Sequence, residues 1–177
     1  TSTQVQSLAT DNLSALTSAQ VKAMNGSQLA AMSSTQISTL STAAVTGLTI
    51  TQIGGLTTDA MSGLTSAQLN AMSDAQLRQF NAEQLNALTS DAFANLGTSE
   101  LNALSATQIQ GLDTSKIAAL SSDQASKLTL NQIASLSTEQ LVALDTVDIQ
   151  AMTSAQVRGL STAQLNALTS DQITAID

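Results

Sequence analysis

The chain has 177 residues, 13 Asp and Glu against 5 Lys and Arg, and no Pro, Cys, Trp, Tyr or His. Its net charge of −8 argues against a nucleic-acid surface, which needs clustered cations. Without Cys there are no disulfides or thiolate metal sites, without His the commonest nitrogen ligand is missing, and no apolar run approaches the ~18 to 20 residues of a membrane span.

From Thr1 onward the chain divides into octads without insertion or deletion, giving 22 units to Ile176 and one further residue, Asp177. The first unit, TSTQVQSL, sets the pattern, and the second, ATDNLSAL, carries its one departure at the first place, Ala9. Elsewhere that place is Ser, Thr, Asn, Asp or Gly. Through residues 33–64 the seventh place becomes Gly at Gly47, Gly55 and Gly63. Residues 65–88, TSAQLNAM SDAQLRQF NAEQLNAL, show the consensus most plainly: S/T-x-x-Q-L/I/V-x-small-L. The seventh place departs from a small residue at Gln79, Asn95 and Lys127, the fifth departs from a large apolar one at Ala125, and residues 129–176 return to the pattern at both places. Gln occupies the fourth place in 15 of the 22 octads, and the eighth is always Leu, Met, Phe or Ile.

A Ser or Thr followed three residues later by Gln is a capping box: the hydroxyl accepts from the N3 backbone N–H, and the N3 side chain accepts from the N-cap N–H. With the first place at N-cap, the preceding eighth place becomes N′ and the fifth becomes N4, the pair joined in a hydrophobic staple. The charges agree with a helix start at every first place. All 13 acidic residues lie in the first four places, whereas Lys22, Arg78, Lys127 and Arg158 lie at the sixth or seventh and only Lys116 does not. One continuous helix is excluded, since eight residues advance about 800° and would wind the apolar pair around the whole surface. Strands are disfavoured because places five and eight would face opposite ways on a strand, whereas they share one face of a helix.

The sequence therefore predicts an all-α solenoid, a superhelix of very short helices, one per 8-residue repeat, with 22 repeats in a single array over 1–177. Leu, Ile, Val and Met are expected inside and Ser, Thr, Asn and Gln outside. The small seventh place is expected to let adjacent helices approach closely. Helices of about one and a half turns are too short to stand alone, so each needs its neighbours. The exceptional residues show no period of 16 or 24, which leaves two or three octads per coil. Neither end departs from the consensus, and Asp177 reads as the cap of a further octad, so the array is expected to belong to a longer one or to stack end to end.

No catalytic, cofactor-binding or metal site emerges. The chain offers many Ser but no His to activate one, and it is not expected to be an enzyme. The carboxylates are spread about one per octad at dipole-favoured places, unlike the compact loop that supplies calcium with its oxygens. The Gln column is accounted for by capping, and the first and second places are too mixed for a flat ice-binding array. Asn12-Leu-Ser and Asn25-Gly-Ser match the N-glycosylation pattern, as two short matches in a Ser-rich chain would by chance.

The octads TSAQLNAM (65–72) and STAQLNAL (161–168) resemble runs in very large, low-complexity exported proteins of Gram-negative bacteria, adhesins or large exoproteins. That resemblance implies an extracellular or cell-surface structural role: a spacer, stalk or filament-forming region, with self-association into filaments or lateral assemblies. The alternative is a solenoid module that binds a polysaccharide, such as a surface glycan, or a partner protein. Far-UV circular dichroism is expected to show a predominantly helical chain; a β-dominated spectrum would overturn the fold.

Overall fold

The computed structural model describes residues 1–176; Asp177, expected to cap a further octad, lies outside the described residues. Among the described residues there is no strand, and one α-helix of four to six residues occupies each of the 22 octads, from Ser2–Gln6 to Ser170–Ala175. Octad 5 (33–40) shows why each helix starts and stops where it does. Ser33 is extended, and its Oγ accepts from the Gln36 N–H at 3.3 Å. The Ile37 N–H then donates to the Ser33 carbonyl, and the Leu40 N–H closes the last, tighter turn on the Ile37 carbonyl. Leu40 (φ −61°, ψ 138°) and Ser41 (φ −65°, ψ 155°) are both extended, so the chain changes direction over two residues before the next helix begins. No described residue has a positive φ. The link thus needs neither a left-handed Gly nor Pro, which explains a chain that turns between its described helices without any Pro.

The chain forms two compact units, Thr1–Asn95 and Leu96–Asp177. Both are built alike. In the first, Ile37, Leu40, Val45, Leu48, Ile53 and Leu56, from the fifth and eighth places, are buried. The second buries Ile133, Leu136, Leu141 and Leu144 at the same places. Within each unit the packed helices are mostly those three octads apart: Ser34–Thr39 against Thr58–Ser62 in the first unit, Ser122–Lys127 against Thr146–Ala151 in the second. Side-chain hydrogen bonds from the fourth place reach instead to the octad four earlier, as from Gln68 to Ile37 and Leu40. Each unit is accordingly an all-α solenoid with between three and four octads per coil. This corrects the expected two or three. The winding comes from the paired extended residues between helices, seen alike at Leu40 and Ser41, Leu88 and Thr89, and Leu136 and Ser137, which leave no longer period in the sequence.

The small seventh place acts as expected at two of the Gly positions. A Cβ on Gly47 would stand 2.5 Å from the Ser18 carbonyl oxygen, and one on Gly63 would stand 2.6 Å from the Ser34 Cα. In both cases the seventh place of one octad presses on the second place of the octad three earlier, backbone against backbone. Both octads also carry Ala at the fourth place, Ala44 and Ala60, in place of Gln. Gly55 and Gly159 share their octads with Gln52 and Gln156, and a Cβ there would meet no neighbouring helix backbone. Close approach therefore accompanies loss of the glutamine.

Gly47→Ala and Gly63→Ala are each expected to destabilise the protein by about 1–3 kcal/mol, because the atoms in the way are backbone and cannot swing aside. Gly54→Ala, in a helix with nothing within 4 Å of the new Cβ, should stabilise by roughly 0.5–1 kcal/mol. Urea denaturation of the three variants decides between these outcomes.

Candidate functional site

The most ordered polar feature is the column of fourth-place glutamines. Each of the 15 closes a capping box with its own N-cap residue, as Gln68 does with Thr65 and Gln84 with Asn81. Gln68 Oε1 accepts from the Thr65 N–H at 2.9 Å. Its Nε2 is turned the other way, donating to the Ile37 carbonyl at 2.9 Å and the Leu40 carbonyl at 2.8 Å. Gln84 repeats this on Ile53 and Leu56, Gln132 on Leu101 and Leu104, and Gln164 on Ile133 and Leu136. The acceptors are always the fifth or eighth place of the octad four earlier, joined at times by the sixth. The eighth-place carbonyl lies past the last hydrogen bond of its helix and has no backbone donor, and the fifth-place carbonyl, which accepts from the eighth-place N–H, has a second lone pair for the glutamine.

One amide thus ties the start of its own helix to the end of another, using its oxygen for one and both N–H bonds for the other. The expectation that Gln lies outside is corrected: Gln68 is 2% exposed and Gln132 2%, because a side chain fully hydrogen-bonded at both ends can be buried without penalty. Near the start of the chain, Gln4 and Gln20 keep their boxes and are exposed.

At two fourth places, Lys116 and Asp148, an ionisable side chain is buried, and burial changes its chemistry. Lys116 is buried, and desolvation lowers its pKa against the opposing pull of Asp113. Asp148 is pushed up to about 6, first by desolvation and then by the charge of Asp145. On the exposed face, Glu139 is held below the usual carboxylate range by its backbone N–H and by hydrogen bonds from Ser137 and Thr138. Asp59 does more than favour its own helix start. Its Oδ2 accepts from the Ser34 N–H at 3.2 Å, joining octads three apart across the coil.

Shallow grooves follow the seams between such octads. One of about 450 Å³ is lined by Ser34, Ser38, Gly63, Ser66, Thr89 and Asp91, and another of about 480 Å³ by Ser18, Lys22, Thr46, Gly47 and Thr49. They offer hydroxyls and single charges without a convergent catalytic set. Among the described residues no three Asp, Glu, His or Cys side chains are grouped to hold a metal ion, and no helix is long and apolar enough to cross a membrane.

A helix recurring every eight residues, tied by its fourth residue to the helix four octads back, defines a repeat protein of the α-solenoid class. The ALTTAQ repeat family matches residues 22–58, 61–98, 93–130 and 141–177, and the chain belongs to that family. The hexapeptide of that name corresponds here to places seven, eight and one to four, as in Gly63-Leu-Thr-Ser-Ala-Gln68. It spans the end of one helix, the two extended residues and the start of the next with its glutamine. No curated protein matches the chain.

Gln68→Ala removes both halves of the tie, strands the buried Leu40 carbonyl and takes from the Ile37 carbonyl its second donor, and is expected to cost about 2–4 kcal/mol. Gln20→Ala removes a box alone and should cost roughly 0.5–1 kcal/mol. Equal losses, read from denaturant midpoints, would show that the box and not the long-range half holds the coil.

Proposed function

We propose that this region is a structural spacer, a stalk or filament-forming array within a secreted or cell-surface bacterial protein, adhesins and surface appendages being the setting that the octads' resemblance suggests. The observation that carries this reading is the repeated glutamine tie. An octad with this tie completes the helix end of the octad four before it and presents the same unfinished end to the octad four after it. Such a rule supports an array of any length, with no octad assigned a special task. The polar groups that recur most regularly, the fourth-place amides, are consumed inside the coil. The places left facing water carry small polar residues that differ from octad to octad, and the net charge of −8 favours solvation over collapse of neighbouring arrays.

Recognition of a polysaccharide is the second reading, and the hydroxyl-lined grooves beside Gly47 and Gly63 are the observation in its favour. The two separate experimentally. Small-angle scattering and electron microscopy of the 177-residue chain and of a tandem duplication are expected to show a maximum dimension that grows in proportion to the number of octads. A particle whose dimension does not grow would sink the spacer. Retention on a glycan array, abolished by changing Ser66 and Asp91, would instead support the binding module.

A further inference from the structure

At the fourth place of octad 19 (145–152) stands Asp148, in a column otherwise dominated by Gln, with its side chain only 3% exposed. It keeps half of the glutamine's role. Its Oδ2 accepts from the Asp145 N–H at 3.3 Å, and the Asp145 Oδ1 accepts from the Asp148 N–H at 2.7 Å. The other half is out of its reach, because an ionised carboxyl has no N–H to give. Gln140, Gln156 and Gln164 each send Nε2 to carbonyls four octads earlier, whereas the side-chain bond of Asp148 stays within its own octad, on Asp145. The box also contains two carboxyl groups where a glutamine box contains a neutral amide.

Among the described residues the hydrogen-bond partner of the Asp148 carboxyl is Asp145, itself an acid. The Thr146–Ala151 helix packs against Ser122–Lys127 and Ser170–Ala175, whose charged side chains, Asp123, Lys127 and Asp171, are exposed. Octad 15 (113–120) contributes buried Lys116, whose own charged form is disfavoured by desolvation, and exposed Asp113.

We propose that octad 19 is a proton-responsive joint of the second unit: Asp148 and Asp145 hold one proton between them in the tight state, and its loss to solvent loosens the Thr146–Ala151 helix from the helices packed against it. In the tight state the Asp148 O–H donates to an Asp145 carboxylate oxygen, and one negative charge remains in the box. In the loose state two anions share it. Burial and the Asp145 charge raise the Asp148 carboxyl from an ordinary 3.8 to about 6. A raised folded-state value contributes stability that is full below about pH 4 and is lost as pH rises through about 6. The device therefore tightens in acid, opposite to Glu139, whose charged form is favoured by its hydrogen bonds.

Asp148→Gln restores the residue that the repeat uses elsewhere. Urea midpoints of this variant and the natural protein, compared from pH 4.5 to pH 8, are expected to diverge with pH. The variant's advantage in the folding constant should grow roughly 10- to 100-fold across that range. An advantage that stays constant with pH would overturn the proposal. Carbon-13 NMR titration of the Asp148 carboxyl in the unaltered chain gives a second readout independent of whether the variant folds. A midpoint near 6 supports the joint, and a midpoint in the ordinary aspartate range overturns it.

Discussion

Everything in this fold depends on one side-chain amide bonded at both ends. A helix of four to six residues consists almost wholly of terminal turns, and a helix end leaves up to four N–H or C=O groups without intrahelical partners. Such a helix has almost no interior, so it exists only if something outside it takes up those groups. The N-cap hydroxyl and the glutamine oxygen serve the start, and the glutamine nitrogen serves the end of a helix 28 to 31 residues earlier. The apolar pair supplies most of the burial, but aliphatic contacts are non-directional and would tolerate many windings. The amide's fixed geometry favours this one.

The exceptions follow from the same constraint. Where Ala44 and Ala60 replace the glutamine, the chain also has Gly47 and Gly63, and the helices close on Ser18 and Ser34 until backbone meets backbone. Loss of a hydrogen-bonded spacer is offset there by nearer packing. Where Gln52 and Gln156 are kept, the glycines beside them, Gly55 and Gly159, press on no neighbouring backbone. At Gly159 the space is taken by a side chain instead, with Leu130 lying 3.9 Å from where a Cβ would stand. Lys116 and Asp148 are a third case, in which an ionisable group enters a site shaped for a neutral amide and its charged form is penalised.

The helix boundaries, the caps and the identity of the core are legible in the sequence because they are encoded within one octad. Thr65 and Gln68 close their box, and Leu69 and Met72 are buried, as spacing alone indicates. Less legible is what lies between octads. The second half of Gln68's role connects residues 28 and 31 positions apart, and any local reading sees a cap that is already sufficient. The same shortfall places the glutamines on the outside, since a polar side chain is assigned inward only when its partners are known. The winding is hidden for a related reason: when each octad has the same core and the same two extended residues, no residue marks where a coil closes. Spacing assigns the acidic residues to helix starts, but it gives no sign of the further bond that Asp59 makes across the coil to Ser34.

A division of labour within the octad follows from these bonds. Places one, four, five and eight are committed to the backbone and core, and place seven is constrained wherever helices close, as at Gly47 and Gly63. Places two, three and six are left, and there the chain accepts even large aliphatic residues in water: Ile50 at the second place is 51% exposed and Val147 at the third is 58% exposed. Much of what the array meets in its surroundings is met through those three places, although Ser34 and Asp59 among them also join octads across the coil, so most of its surface can change while its coil does not. A fold that keeps most of its supporting bonds away from its surface is suited to being lengthened, because an added octad needs only four correct residues and a small seventh to join.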